Sequence, residues 1–244
     1  MTNYKYVEVN SFDRTGGASD SDFYVTLNGT FSEEFDQIAL VNCIMTNTFY
    51  NVTSTNNTFD FVENTGASQS VTITAGNYTI NDLLSALKTA METASPNTRT
   101  YTMSTSTISN KVTITGSAGT FSVLSSGGLN LMLGFSRSTA SGQNLANTGT
   151  RIYNMTRYAF LNVQCSACKS DTYNTINGGR QNVLSYIPIT ESASGDILSF
   201  RPQTLNWVDI SNPNVDQLSF RLTDDSNNII DLNGGYVSLY IALR

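Results

Sequence analysis

Gln37-Ile38-Ala39-Leu40-Val41-Asn42-Cys43-Ile44-Met45 is the stretch on which the reading of this chain turns. It alternates with period 2, yet it is apolar on both faces over part of its length. That pattern predicts a central strand in a packed sheet. Phe23-Tyr24-Val25-Thr26-Leu27 alternates before it, and Thr58-Phe59-Asp60-Phe61-Val62 and Ser70-Val71-Thr72-Ile73-Thr74 follow. Clusters of Asn, Gly, Ser and Asp separate these runs and supply turn chemistry.

One strong helix interrupts the strands. Thr79-Ile80-Asn81-Asp82 opens it, and Leu83, Leu84, Leu87, Ala90 and Met91 recur at helical spacing. Either Thr79 or Asn81 can cap it, and Pro96 supplies the stop. Tyr101-Thr102-Met103-Ser104, Lys111-Val112-Thr113-Ile114-Thr115 and Thr120-Phe121-Ser122-Val123-Leu124 come next, with Ser109-Asn110 as a hairpin turn. Leu131-Met132-Leu133-Gly134-Phe135 closes the block. Residues 68–136 therefore read as a small α+β unit: one strand, one helix and a short antiparallel sheet.

Residues 136–149 are rich in Ser, Thr, Gly and Asn, and read as a loop or linker. Strands then resume. Tyr153, Met155, Arg157, Ala159, Leu161 and Val163 line one face of a long alternating run. Further strands are predicted over 182–187, 196–201, 205–210, 215–223 and 236–243. Outside the inserted unit this makes about eight main strands and almost no helix. The predicted fold is mainly β: a single eight-stranded antiparallel jelly-roll sandwich, residues 1–67 and 137–244. The 68–136 unit hangs from one of its loops, where insertions cost little.

The 244 residues carry 13 Lys and Arg against 19 Asp and Glu, a net charge of −6. Charged residues are 13% of the chain, about half the usual share. Ser, Thr, Asn and Gln are as numerous as hydrophobic residues. With 12 Tyr and 12 Phe, the composition is that of a packed core, against disorder.

There is no histidine. That excludes a Ser-His-Asp triad, a Cys-His dyad, a His metal ligand and a histidine pH switch. A pI near 4.5 with scattered basic residues argues against nucleic-acid binding. Arg151 and Arg157 are the nearest thing to a basic cluster. No run of about 18 apolar residues is present, so no membrane span is predicted. Met1-Thr2-Asn3-Tyr4-Lys5-Tyr6 lacks the apolar core of a secretory signal, so synthesis in a reducing interior is expected.

Candidate chemistry is sparse. Cys165-Ser166-Ala167-Cys168 matches C-x-x-C, but it ends an alternating run where a redox motif starts a helix. With Cys43 it gives three thiols and no fourth zinc ligand. These read as buried thiols. The acid pairs Asp20/Asp22, Glu33/Glu34 and Asp224/Asp225 lie in turn-like surroundings, without the separation that glycoside hydrolysis requires. Asp224-Asp225-Ser226-Asn227-Asn228 with Asp231 offers oxygen ligands, yet reads as a solvated hairpin turn. Sequons at Asn28, Asn51, Asn56, Asn77 and Asn154 read as chance matches. The pairs Gly127-Gly128 and Gly178-Gly179 lack a phosphate-binding context. Trp207 and the tyrosines suit a core or a protein interface better than a sugar platform.

Several segments resemble the penton proteins, the single jelly-roll minor capsid proteins, of virophages and polinton-like viruses. The segments are Val9-Asn10-Ser11-Phe12-Asp13-Arg14, Asp20-Ser21-Asp22-Phe23-Tyr24-Val25-Thr26-Leu27, and 38–52 with its Asn47-Thr48-Phe49-Tyr50-Asn51-Val52 end. Gly76-Asn77-Tyr78-Thr79, Leu133-Gly134-Phe135-Ser136 and the closing 218–243 segment add to it. The resemblance implies a structural virion protein at the icosahedral vertex. It implies a homopentamer in contact with a double-jelly-roll major capsid protein and with other minor capsid proteins. It implies no enzyme activity and no catalytic, cofactor or metal residues. On this reading the polar segment before residue 20 is an arm that orders on assembly. The competing readings are a glycan-binding attachment domain of a virion surface, a capsid cement protein, and a carboxylate-dependent glycosidase.

Overall fold

The computed structural model describes residues 4–27, 34–135, 143–169, 172–173, 179–189, 195–211 and 215–244. The chain separates into two compact units, Met1–Phe49 with Tyr158–Arg244, and Tyr50–Arg157. Both are built mainly of β-strands.

The first unit is sandwich-like, with two five-stranded antiparallel sheets. One runs Lys5–Asn10, Val237–Leu243, Gln37–Thr46, Ile197–Phe200, with Val208–Asp209 also paired to Gln37–Thr46. The other runs Val183–Pro188, Phe160–Cys165, Gln217–Thr223, Asp22–Thr26, Gly16–Ser19. Leaving aside Val208–Asp209 and Gly16–Ser19, each sheet keeps four strands. Numbered one to eight along the chain, their orders are 1-8-3-6 and 5-4-7-2. Alternate residues of both sheets point inward and share one core. Ile38, Leu40, Cys43, Met45, Leu239 and Ile241 come from the first sheet; Phe23, Leu161, Val163, Leu218, Phe220 and Leu222 come from the second.

The two-faced character of Gln37–Thr46 has a local cause. Leu239 pairs with Cys43, Tyr240 with Asn42, and Ile241 with Leu40, so Val41 is an extra residue. This bulge shifts the inward parity from Ile38 and Leu40 to Cys43 and Met45.

Two sequence expectations fail here. The segment before residue 20 is no free arm. Lys5–Asn10 pairs along its whole length, from Lys5 with Leu243 to Asn10 with Ser238. Val7 and Val9 are buried between exposed Tyr6 and Glu8, so a short alternation inside a polar segment suffices for an edge strand. The long strand expected from Tyr153 begins only at Phe160. Tyr153 and Met155 pack on the core of the second unit, whereas Leu161 and Val163 belong to the first. The alternation spans a crossing between units. Of the 136–149 linker, residues 136–142 lie outside the described residues, and Ala146–Thr148 is a strand.

The second unit is wider than 68–136. Thr58–Glu63 pairs with both Ser68–Thr72 and Phe121–Val123. Ala146–Thr148 pairs with Val112–Gly116, which forms a hairpin with Tyr101–Thr105. Both flanks are thus held by backbone hydrogen bonds inside this unit. Its helices are Ile80–Ala94 and Gly128–Met132. Thr79 is the cap: its hydroxyl accepts from the Asp82 amide at 3.2 Å and donates to Asp82 Oδ2 at 2.6 Å. Leu83, Leu84, Leu87 and Met91 are buried, and pack in a core with Phe59, Phe61, Tyr101, Ile114 and Phe121.

A buried charge pair ties this unit together. The Glu63 side chain is fully buried and lies 3.6 Å from the Arg99 guanidinium, itself 6% exposed. Glu63 Oε1 accepts from Tyr101 Oη at 2.5 Å and from Ser95 Oγ at 2.6 Å, and Oε2 accepts from Asn97 Nδ2 at 2.7 Å. Arg99 also donates to Thr120 O and Asn64 Oδ1, each at 2.8 Å. Burial pushes the Glu63 carboxyl up, but the bonds from Ser95, Tyr101 and Asn97, with the charge of Arg99, outweigh it. The net effect holds Glu63 below the usual glutamate range.

Candidate functional site

The outward face of the first sheet follows from pairing parity. Tyr6 pairs with Ala242, Glu8 with Tyr240, Tyr240 with Asn42, Ser238 with Ile44, and Ile44 with Ser199. These residues share the side away from the core. Tyr6, Tyr240, Ile44 and Ile197 are all exposed there, Ile197 to 69%. Tyr6 and Tyr240 stack with ring centroids 5.4 Å apart and planes 4° off parallel.

Beside this face lies a polar and aromatic network. Tyr4 stacks on Trp207 at 5.4 Å, and the Arg244 guanidinium sits 4.3 Å from the Trp207 ring centre. Arg244 Nε donates to Gln37 Oε1 at 2.7 Å, and Gln37 Nε2 donates to Asp209 Oδ1 at 2.9 Å. Lys169 Nζ is 3.6 Å from Asp209 Oδ2. The Gln37 hydrogen bond and the Lys169 charge hold Asp209 below the usual carboxylate range. A cleft of about 520 Å³ opens here, lined by Lys169, Tyr186, Asn206, Trp207 and Asp209 among others. On the second sheet, Phe160 and Tyr186 meet edge to face at 6.0 Å, both partly exposed. Chemically these surfaces offer flat aromatic faces, amides and paired charges, the groups that make contacts with other molecules.

The residues singled out from the sequence are dispersed. Asp20 pairs with Arg14, and Asp22 lies 3.8 Å from Arg221, so each acid of that pair has its own cation. Glu33 lies outside the described residues, as do Asn28 and Gly178. Asp224 accepts from the amides of Ser226 at 2.9 Å and Asn228 at 2.8 Å, which makes it the keystone of a turn. Asp231 accepts from the Asn233 amide at 2.8 Å. Asn51 is buried: its side chain donates to Tyr78 O at 2.7 Å and accepts from Tyr78 N at 2.9 Å. Asn56 accepts from Thr53 N at 2.7 Å, whereas Asn77 and Asn154 are exposed. The Gly127 backbone passes too close to the Asn130 side chain and the Thr58 carbonyl to admit a side chain. Among the described residues no three Cys, Asp or Glu side chains gather as a metal site. Trp207 is half-buried at the network above.

The network itself was not foreseen as a cluster. Tyr4, Tyr6, Gln37, Trp207, Tyr240 and Arg244 come from four separated segments. The register between Lys5–Asn10, Val237–Leu243 and Gln37–Thr46, with the pairing of Val208–Asp209 on Gln37–Thr46, gathers them.

A family model described as a family of unknown function, DUF5901, matches residues 12–227. The chain belongs to DUF5901. No curated protein matches this DUF5901 sequence significantly. Its fold does have a solved likeness. The crystal structure of the selenomethionine-labelled mavirus penton protein aligns over 100% of this chain and 99% of that one. The TM-score is 0.60 at 10% sequence identity. This DUF5901 member therefore shares its fold with that penton protein. No helix among its described residues is long and apolar enough to cross a membrane.

Proposed function

We propose that this chain is a structural virion protein, a penton-type component of an icosahedral capsid vertex. Five copies close a ring and contact a double-jelly-roll major capsid protein and other minor capsid proteins. The observation that carries the reading is the end-to-end fold likeness to the mavirus penton protein. The strand orders 1-8-3-6 and 5-4-7-2 support an eight-stranded jelly roll, with Tyr50–Arg157 inserted between its third and fourth strands. The exposed Tyr6, Tyr240, Ile44 and Ile197 face supports contact with protein. A ring of this kind uses two different patches that close by rotation.

Native mass spectrometry of the purified chain tests it. The expected species is a pentamer of about 132 kDa, from 26.5 kDa per chain. A monomer that forms the same ring only with major capsid protein present also agrees. A stable trimer, or a monomer inert to capsid protein, overturns it. The cleft beside Trp207 favours a second reading, a glycan-binding attachment domain, which predicts the trimer and retention on immobilised glycans.

A further inference from the structure

Cys165 ends the Phe160–Cys165 strand, and the chain then turns back on itself. The Cys168 amide donates to Cys165 O at 3.1 Å, closing a four-residue β-turn. That geometry holds the two Cα atoms within about 7 Å, inside the range a disulfide spans. The turn is fixed on both sides. Ser166 N donates to Ser219 O at 2.9 Å on the second sheet, and Lys169 N donates to Asp209 O at 2.9 Å on the first. Cys168 itself forms a bridge with Ile210. The turn thus joins the two sheets at one corner of the first unit.

The turn makes the two thiols near neighbours. Their mutual influence lowers the Cys165 pKa and, with burial, raises that of Cys168. One member is a better thiolate and the other a held thiol. Both residues are buried, Cys165 at 2% and Cys168 at 1% exposure, and Cys165 lines a depression of about 350 Å³ together with Gln164, Ser166 and Arg221. Cys43 is the internal contrast: burial pushes its thiol up to about 12 and no second thiol assists it.

We propose that Cys165 and Cys168 are an oxidation site, a dithiol that a small hydroperoxide converts to a disulfide, stapling the corner between the two sheets. The Cys165 thiolate attacks the peroxide, the O–O bond breaks, and sulfenic acid and hydroxide form. The Cys168 sulfur then displaces hydroxide from the Cys165 sulfur. The S–S bond forms; the Cys168 proton and the proton that Cys165 lost on ionising neutralise the two hydroxides, so hydrogen peroxide ends as two waters while the dithiol gives up two electrons. Thiol reductants reverse it. This chemistry does not depend on the capsid reading.

The test exposes the folded full chain to hydrogen peroxide, unfolds it in an alkylating reagent, and maps the labelled cysteines by mass. The expected result is alkylation of Cys43 alone, loss of two hydrogens from the intact mass, and a linked Cys165–Cys168 peptide. A reductant step restores all three labels. The closed staple raises the thermal midpoint by a few degrees, since it closes only a short loop. In Cys168→Ser, Cys165 stops at a sulfenic acid that dimedone traps. Full labelling of all three cysteines after peroxide, a link to Cys43, or wild-type Cys165 passing on to sulfinic acid each overturns the proposal. The wild-type measurement decides the matter if the variant fails to fold.

Discussion

Glu63 keeps a charge in a place without water, and its neighbours explain how. Three donors and the Arg99 guanidinium hold the carboxylate at a pKa below its ordinary value, so folding is linked to pH with a fixed sign. The stabilisation is fully present above about pH 4.3, the unfolded glutamate value, and is lost as pH falls through the lower folded value. Thermal melts across pH 2–6 will show the second unit weakening only at the acid end. Glu63→Gln will flatten that acid slope. At pH 7 it will cost about 3 kcal/mol in denaturant titrations, because Arg99 is left buried beside a neutral partner. This clasp was invisible in the sequence. Glu63 lies just beyond the alternating Thr58–Val62 run, Arg99 lies between Pro96 and the next strand, and Tyr101 reads as a strand residue. No spacing rule relates groups that only the fold brings together. Gly119 shows the same blindness: at φ +62 its hydrogen faces the Arg99 guanidinium, where a Cβ would sit 2.3 Å from a nitrogen.

At the level of elements, legibility tracked periodicity. The Ile80–Ala94 helix and its Thr79 cap follow from a Leu stripe and a hydroxyl in the right place, and Thr79→Ala will cost about 1 kcal/mol in a chemical melt. A variant as stable as wild type would mean that Asn81 or water takes over the cap. The 101–116 hairpin was equally plain from alternation around Ser109-Asn110. The failures were of two kinds. Val7 and Val9 give too short a signal to separate an edge strand from an arm. From Tyr153 to Val163 the alternation is real but serves two cores, and period alone cannot say which side of a boundary a residue packs on. The bulge at Val41 is the instructive intermediate. The sequence carries it openly, as apolar residues on both parities, yet the pattern reads equally well as a strand buried on both faces.

For the molecule as a whole, periodicity does not mark where one compact unit ends and the other begins. Thr58–Glu63 alternates like any sandwich strand, and its pairing with Ser68–Thr72 and Phe121–Val123 assigns it to the second unit. Because Tyr50–Arg157 has its own core and its own sheets, residues 50–157 expressed alone will unfold in one cooperative transition, seen by circular dichroism and calorimetry. A fragment without a transition would show that the rest of the chain is needed to order it. The outward aromatic face was hidden from the sequence for the opposite reason to the core. Tyr6 and Tyr240 are far apart in the chain, and nothing in either segment marks the other as its neighbour.

The pairing of Lys5–Asn10 with Val237–Leu243 sets a timetable for biosynthesis. Val237–Leu243 is an interior strand of its sheet, flanked by Lys5–Asn10 and Gln37–Thr46, and it is the last of the three to be translated. The Tyr50–Arg157 unit can fold while the ribosome is still working, because all its partners lie within one continuous stretch. The strands made before it must wait, with Val7, Val9, Ile38 and Leu40 uncovered, until the final segment emerges and slots between them. Closure is therefore late and non-local, and the nascent chain carries a finished insert while its scaffold is still incomplete.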